Sequence, residues 1–212
     1  MEIVKTVLAW TAFAVFHSLT MSGGYERRAR RAMGERAFDA CHRLLFTAYS
    51  TVATAVTLFY VHSLPDAPLY RVEGWPRFLF HAVQAAGAAL LLWTPWDLPE
   101  FIGLRQLRRS LRGEPPENGS RKRLFTGKAY GLVRHPLYLG CSILVAFHPA
   151  QTRNSLASAA AIVAYFYVGT YFEERRLERT FGEAYREYRK RVPRFLPLPR
   201  RRGQVRAGSL RR

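Results

Sequence analysis

Long apolar runs alternate with short basic runs along this chain. A helix needs about 20 mostly apolar residues to cross a bilayer. Five runs reach or approach that length: Val4–Met21, Leu44–Leu64, Phe78–Trp96, Leu137–Pro149 and Leu156–Phe172. The fourth run is short, but the fifth follows it at once, and a turn at residues 151–154 would join the two as a tight helical hairpin. The pattern therefore predicts an all-α integral membrane bundle of about five transmembrane helices.

Two other segments have one apolar side and one charged side. Asp97–Arg112 is predicted to be a single basic amphipathic helix at the membrane interface. Glu173–Arg191 is predicted to continue the fifth span beyond the membrane and to end before Pro193. Its apolar positions recur at spacings of four, four and three residues and are Leu177, Phe181, Tyr185 and Tyr188.

These patterns divide the chain into four regions. Residues 1–96 form a three-span membrane region, and residues 97–128 form an interfacial helix and a cytoplasmic loop. Residues 129–199 contain the helical hairpin and the C-terminal helix. Residues 200–212 form a basic tail with almost no apolar content, which we expect to be disordered or bound to lipid.

The basic residues determine the predicted topology. The net charge of +18 first suggests a nucleic-acid partner, and a mean hydropathy of −0.14 first argues against a membrane protein. Both averages hide the segregation, because nearly all Lys and Arg residues fall in residues 26–43, 105–134 and 173–212. The exceptions are Lys5, Arg71, Arg77 and Arg153. By the positive-inside rule the N-terminus lies outside and the C-terminus lies in the cytoplasm, in what we expect to be a bacterial inner membrane. The charge then predicts contact with membrane lipids and no nucleic-acid partner.

One cluster of charged residues is predicted at the membrane face. Arg134 and His135 lie where a basic loop enters the fourth span, and Glu173 and Glu174 lie where the fifth span ends. A short hairpin brings these positions together, and ionisable groups at membrane depth are functional candidates because burying them is costly. Two other interpretations stay open: interfacial anchors beside a solvated helix, or an ion pair that only pins the hairpin. Cys41 and Cys141 lack metal-binding spacing, so no metal site is predicted.

The same cluster carries a resemblance to a known family. RHPLYLG, the Glu pair, FGEAYREY and VPRFLP resemble the C-terminal signature of the isoprenylcysteine carboxyl methyltransferase and phospholipid methyltransferase superfamily. TAFAVFHSLTMSG, HRLLFTAYS and DLPEFIGLRQL are similar to segments of the bacterial methanethiol S-methyltransferases. The resemblance implies that S-adenosylmethionine binds on the cytoplasmic side and that its methyl group passes to a small lipophilic substrate arriving through the membrane.

The resemblance also implies roles for individual residues. Arg134 and His135 would bind the cofactor carboxylate and favour a thiolate acceptor, and Glu173 or Glu174 would bind the ammonium or ribose. Tyr138 would place its ring near the sulfonium, and Gly140 would let the adenine or a neighbouring helix approach closely. Tyr185 and Tyr188 would close a lid or simply pack.

Four further residues are weaker candidates for the substrate pocket. These are His17, Ser18, Arg105 and Gln106. By itself, a histidine inside a span most often bonds a neighbouring carbonyl.

The favoured function is methylation of a small thiol such as methanethiol, which gives dimethyl sulfide. Isoprenylcysteine or a lipid is an alternative acceptor. A haem-binding isomerase-like protein, with His17 as an axial ligand, and a non-catalytic membrane protein are alternatives of other classes. The sequence does not predict an oligomeric state.

Overall fold

The computed structural model describes residues 1–115 and 124–197, and within these ranges the chain is almost entirely helical. The helices are α1 (Glu2–Thr20), α2 (Gly23–Met33), α3 (Glu35–Ser63), α4 (Pro76–Trp93), α5 (Leu98–Ile102), α6 (Leu104–Leu111), α7 (Ala129–Leu132), α8 (Pro136–Ala146), α9 (Arg153–Phe181) and α10 (Glu183–Arg191). The strands are β1 (Pro68–Arg71) and β2 (Ala150–Thr152). Part of the predicted cytoplasmic loop and the whole basic tail lie outside the described residues.

The prediction of a helical membrane bundle is confirmed. Each of the five predicted spans contains a helix, and α1, α3 and α9 are long and apolar enough to cross a membrane. α4 has 18 residues, or about 27 Å at the usual rise per residue. α8 is the short helix of the set, with 11 residues. α1 packs against α3 and α9, whereas α8 packs against α4 on one side and α9 on the other.

The crossing of α4 and α8 depends on two glycines. A Cβ atom at Gly140 would lie 2.7 Å from the Leu91 side chain and 3.0 Å from the carbonyl oxygen of Gly87. A Cβ atom at Gly87 would lie 2.8 Å from Ile143. Apolar side chains gain no hydrophobic free energy when they move from lipid into a contact between helices. Helices in a membrane therefore associate chiefly through close packing of this kind.

The connection between α8 and α9 differs from the predicted turn. Residues 150–152 form β2, which pairs antiparallel with β1 from the loop between α3 and α4. α9 then begins at once, with the Thr152 hydroxyl accepting a hydrogen bond from the Ser155 N–H. The prediction of a simple turn at residues 151–154 is wrong because the backbone groups there find partners in a distant loop.

The predicted single helix at Asp97–Arg112 is in fact two helices, α5 and α6. Gly103 separates them with a φ of +92°, a conformation that glycine adopts without strain. A Cβ atom at Gly103 would lie 2.5 Å from the backbone nitrogen of Leu44. The break therefore lets the α5–α6 corner touch the backbone of α3, where Arg43 donates a hydrogen bond to the Phe101 carbonyl.

The predicted C-terminal helix is also broken once. α9 continues without interruption from the apolar run through Glu173 to Phe181, as predicted. Gly182 then takes a φ of +54° and α10 starts in a new direction. The chain thus folds back toward the start of α8, and the single straight helix to Arg191 was wrong.

We expect Gly140→Ala to lower stability by about 1–3 kcal/mol, because the new methyl group overpacks the α4–α8 crossing. Gly169→Ala in α9 is the matched control, since a Cβ atom there meets nothing within 4 Å. Thermal unfolding followed by circular dichroism should show a lower Tm for Gly140→Ala and an unchanged or higher Tm for the control. Equal losses in both variants would contradict the close crossing.

Candidate functional site

The carboxylate of Glu174 is the centre of a buried ionic cluster. Arg134 donates to Glu174 Oε1 from Nη2 at 2.6 Å and from Nε at 2.9 Å. His135 Nε2 lies 3.1 Å from the same oxygen, and Arg194 Nη2 lies 3.0 Å from Oε2. Arg134 and Glu174 are only 7% and 4% exposed. The predicted convergence of these charges is therefore present, with Glu174 shared by three basic side chains.

Backbone contacts hold the two chain segments that carry this cluster. The N–H of Arg134 donates to the Pro193 carbonyl at 2.9 Å, and the N–H of His135 donates to the Arg194 carbonyl. Arg134 Nη1 also donates to the Val192 carbonyl at 2.7 Å. The segment before α8 and the segment after α10 thus form one connected wall.

The surroundings of His135 favour its charged form. Burial alone would lower its pKa, but the hydrogen bonds and charges of Glu173 and Glu174 outweigh burial and raise the pKa of His135 above its ordinary value. Nδ1 lies 3.4 Å from Glu173 Oε2, while Nε2 faces Glu174. Because both ring nitrogens face carboxylates, His135 acts here as a donor that positions the two glutamates.

A cavity of about 500 Å³ lies in front of this cluster. Its wall carries three charged side chains, which are Asp97, Arg134 and Glu173. Asp97 comes from the connection between α4 and α5, and the other two come from the start of α8 and the end of the apolar part of α9. Cavities of this size accommodate small organic ligands.

Aromatic and aliphatic side chains form the rest of the wall. All four members of the predicted apolar stripe line the cavity: Leu177, Phe181, Tyr185 and Tyr188. The break at Gly182 splits this stripe between α9 and α10. Tyr188 donates a hydrogen bond to the Tyr130 carbonyl at 2.7 Å and is packed in place.

Tyr185 has an unusual position in this wall. It is fully buried, and its hydroxyl has no hydrogen-bond partner among residues 1–115 and 124–197. Burial raises the pKa of Tyr185 to about 12, so the hydroxyl keeps its proton. A buried polar atom without a partner is costly.

The other predicted cofactor-binding residues lie behind the cavity wall. Tyr138 is stacked between His135, at 5.7 Å between ring centroids, and Phe166, at 5.0 Å. Gly140 contacts α4, so of its two predicted roles the structure supports close approach of a helix. Arg134 and Glu173 are the predicted cofactor ligands that reach the cavity.

The weaker candidates make specific contacts elsewhere. His17 Nδ1 lies 2.8 Å from the Tyr165 hydroxyl, and the Ser18 hydroxyl lies 3.3 Å from the same oxygen. The expectation that His17 bonds a carbonyl was therefore wrong. Arg105 pairs with Asp97 at 2.8 Å and is one contact away from the cavity. Gln106 does not line the cavity, and its side chain donates a hydrogen bond to Glu100 at 2.8 Å.

Sequence reasoning missed Asp97 and Tyr130 as cavity residues. Asp97 was predicted only as the first residue of an amphipathic helix, and its Oδ1 caps α5 by accepting a hydrogen bond from the Glu100 N–H. Its approach to the cavity depends on the packing of α4 against α8, which no local pattern reveals.

Comparison with known proteins adds to this geometry. The chain is 29% identical to methanethiol S-methyltransferase 2 of Bradyrhizobium diazoefficiens, over 92% of this chain and 73% of that protein. It is 28% identical to methanethiol S-methyltransferase of Pseudomonas deceptionensis, over 95% and 75%, and 29% identical to that of Mycobacterium tuberculosis, over 94% and 80%. The chain is a relative of the methanethiol S-methyltransferases.

The relationship to the methanethiol S-methyltransferases extends over nearly the whole chain and confirms the resemblance identified from its motifs. No protein-family model matches the chain. No solved structure matches it.

Replacing Glu174 with Gln should destabilise the fold by about 3–5 kcal/mol, because Arg134 then remains buried without its counter-charge. Glu178→Gln is the matched control one turn further along α9, since Glu178 pairs with Arg186 at the surface. The Tm should fall clearly for Glu174→Gln and change little for the control. Similar small changes in both would show that the buried cluster is not a main source of stability.

The contribution of His135 to stability should depend on pH. Its folded-state pKa is raised above the ordinary 6.5, so the stabilisation is fully present below pH 6.5 and is lost as the pH rises through the raised pKa. The difference in Tm between the wild type and His135→Asn should therefore be largest in mild acid and shrink in alkali. A difference that grows with pH would contradict a charged His135.

Proposed function

We propose that this chain is an integral membrane methyltransferase that uses S-adenosylmethionine to methylate a small thiol such as methanethiol, giving dimethyl sulfide. One observation carries the proposal: a cavity walled by Arg134, two carboxylates and aromatic rings, at one end of a membrane bundle related to proteins of that name.

The residues that line the cavity fit the cofactor. S-Adenosylmethionine carries a carboxylate, an ammonium, a sulfonium and an adenine ring. The cavity offers a guanidinium from Arg134, a carboxylate from Glu173 and several aromatic faces. With Asp97 included, the wall has more acidic than basic side chains, although the chain as a whole has a net charge of +18. An excess of negative charge in a basic protein favours a cationic ligand.

Arg134 retains a donor for that ligand. A guanidinium has five N–H groups. Glu174 receives one from Nε and one from Nη2, and the carbonyls of Val192 and Arg189 receive those of Nη1. One N–H of Nη2 has no hydrogen-bond acceptor in the described ranges 1–115 and 124–197, and we assign it to the cofactor carboxylate. Glu174 and His135 then act by holding Arg134 and Glu173 in place.

The chain contributes positioning and exclusion of water. When bound, S-adenosylmethionine supplies a methyl group on a positively charged sulfur, and a thiolate that attacks the methyl carbon in line displaces that sulfur. Arg134 and Glu173 would orient the amino-acid end of the cofactor, while Phe181 and Tyr188 would keep water from the reacting atoms. His135 faces a carboxylate at each ring nitrogen, so we assign it a positioning role and no role as a base.

The arrangement in the membrane supports a cytoplasmic site. The Arg-rich α2, α6 and α10 all lie at the end of the bundle that holds the cavity, and the β1–β2 sheet lies at the other end. By the positive-inside rule the cavity end faces the cytoplasm, and we place the protein in a bacterial inner membrane with the N-terminus outside. Leu111 in α6 is 78% exposed beside basic residues, which fits contact with acyl chains and anionic headgroups.

The test is dimethyl sulfide formation by membranes that contain the protein, supplied with S-adenosylmethionine and methanethiol and measured by headspace gas chromatography. We expect product from the wild type and from Glu178→Gln. Glu173→Gln should bind S-adenosylmethionine about tenfold more weakly, because a hydrogen bond between charged groups is lost.

The other outcomes separate the alternatives. Cofactor binding without formation of dimethyl sulfide would show that the methyl acceptor is not a small thiol. Transfer of a labelled methyl group into lipid or into an isoprenylcysteine analogue would then identify the acceptor. Absence of both binding and product would overturn the proposed function.

A further inference from the structure

The acidic side chains of the cavity approach it from two directions. α8 packs between α4 and α9. Glu173 reaches the cavity from α9, near Arg134, whereas Asp97 reaches it from the end of α4. The proposed function needs Arg134 and Glu173 for the carboxylate and ammonium at one end of the cofactor. Asp97 is a third charged group in the cavity wall, and it is paired with Arg105.

Asp97 has the capacity for another contact. A carboxylate has about four acceptor positions. Asp97 Oδ1 accepts hydrogen bonds from the Glu100 N–H at 3.2 Å and from Arg105 Nη2 at 3.0 Å, and Oδ2 lies 2.8 Å from the same Nη2. At least one acceptor position therefore has no partner among residues 1–115 and 124–197. Both side chains of that pair are 45% exposed, so water screens the pair and it neutralises Asp97 only in part.

We propose that Asp97 recognises the positive charge on the sulfur of S-adenosylmethionine and thereby distinguishes the cofactor from its by-product, S-adenosylhomocysteine. This inference rests on the proposed function and adds a specificity residue to it. In the reaction the thiolate sulfur bonds to the methyl carbon, and the electron pair of the broken methyl–sulfur bond stays on the departing sulfur. That sulfur becomes uncharged, so its attraction to Asp97 disappears. The by-product then leaves more readily than the cofactor.

Asp97→Asn is a well-matched test of this charge. Asn is as good a helix cap as Asp, so the cap of α5 is kept while the negative charge is lost. Equilibrium dialysis of the full chain in lipid nanodiscs should give the Kd of both ligands. For the wild type we expect S-adenosylmethionine to bind about fivefold more tightly than S-adenosylhomocysteine, as a charge contact close to the surface allows. For Asp97→Asn the ratio should fall to about one, chiefly through weaker binding of the cofactor.

Arg105→Gln provides the opposite perturbation. It removes the partner of Asp97 and leaves the carboxylate in place, so the preference for S-adenosylmethionine should stay the same or increase. This variant also decides the question if Asp97→Asn does not fold, because a preference that falls to one in Arg105→Gln would overturn the proposal. Added salt should reduce the wild-type preference, since partly exposed charges are screened.

The remaining outcomes are distinct from failure of the proposed function. Equal weakening of both ligands in Asp97→Asn would mean that Asp97 contacts a part they share, such as the ribose, and would overturn charge recognition alone. A wild type that binds both ligands equally would do the same. Failure of the wild type to bind either ligand would overturn the proposed function together with this inference.

Discussion

The buried carboxylate of Glu174 is the interaction on which this end of the molecule depends. It lies in α9, yet its partners come from the segment before α8 and from the segment after α10. Burying these charges is costly, and the cost is offset only when each has its counter-charge and hydrogen bonds. Each of the three segments is therefore stable only when the other two are in place, and the cluster specifies their relative positions.

The chemistry of the cavity follows from that arrangement. Arg134 and Glu173 face the cavity because Glu174 and His135 hold them from behind. These four residues thus divide into a pair that lines the cavity, Arg134 and Glu173, and a pair that supports it, His135 and Glu174. The sequence alone does not distinguish these two roles, because all four residues are ionisable and the two roles fall on neighbouring residues of the chain.

The sequence predicted the features that depend on local pattern. The apolar runs located the spans, and the short link between the last two brought Arg134 and Glu174 together. The breaks at Gly103 and Gly182 were missed, because a glycine in a helical pattern signals a break only when something nearby requires it. At Gly103 that requirement is the backbone of α3. Asp97 and Tyr130 were missed as cavity residues for a related reason: their neighbours in space are distant in the chain.

The position of α10 has a consequence for biosynthesis. Residues 183–194 leave the ribosome after α8 and α9, yet they supply the carbonyl acceptors of the Arg134 side chain and the third basic partner of Glu174. During synthesis the hairpin therefore enters the bilayer with its ionic cluster incomplete. The cavity acquires Tyr185 and Tyr188 in the same step that completes the cluster. Nascent chains thus have no complete cavity until nearly all of the described sequence has been translated.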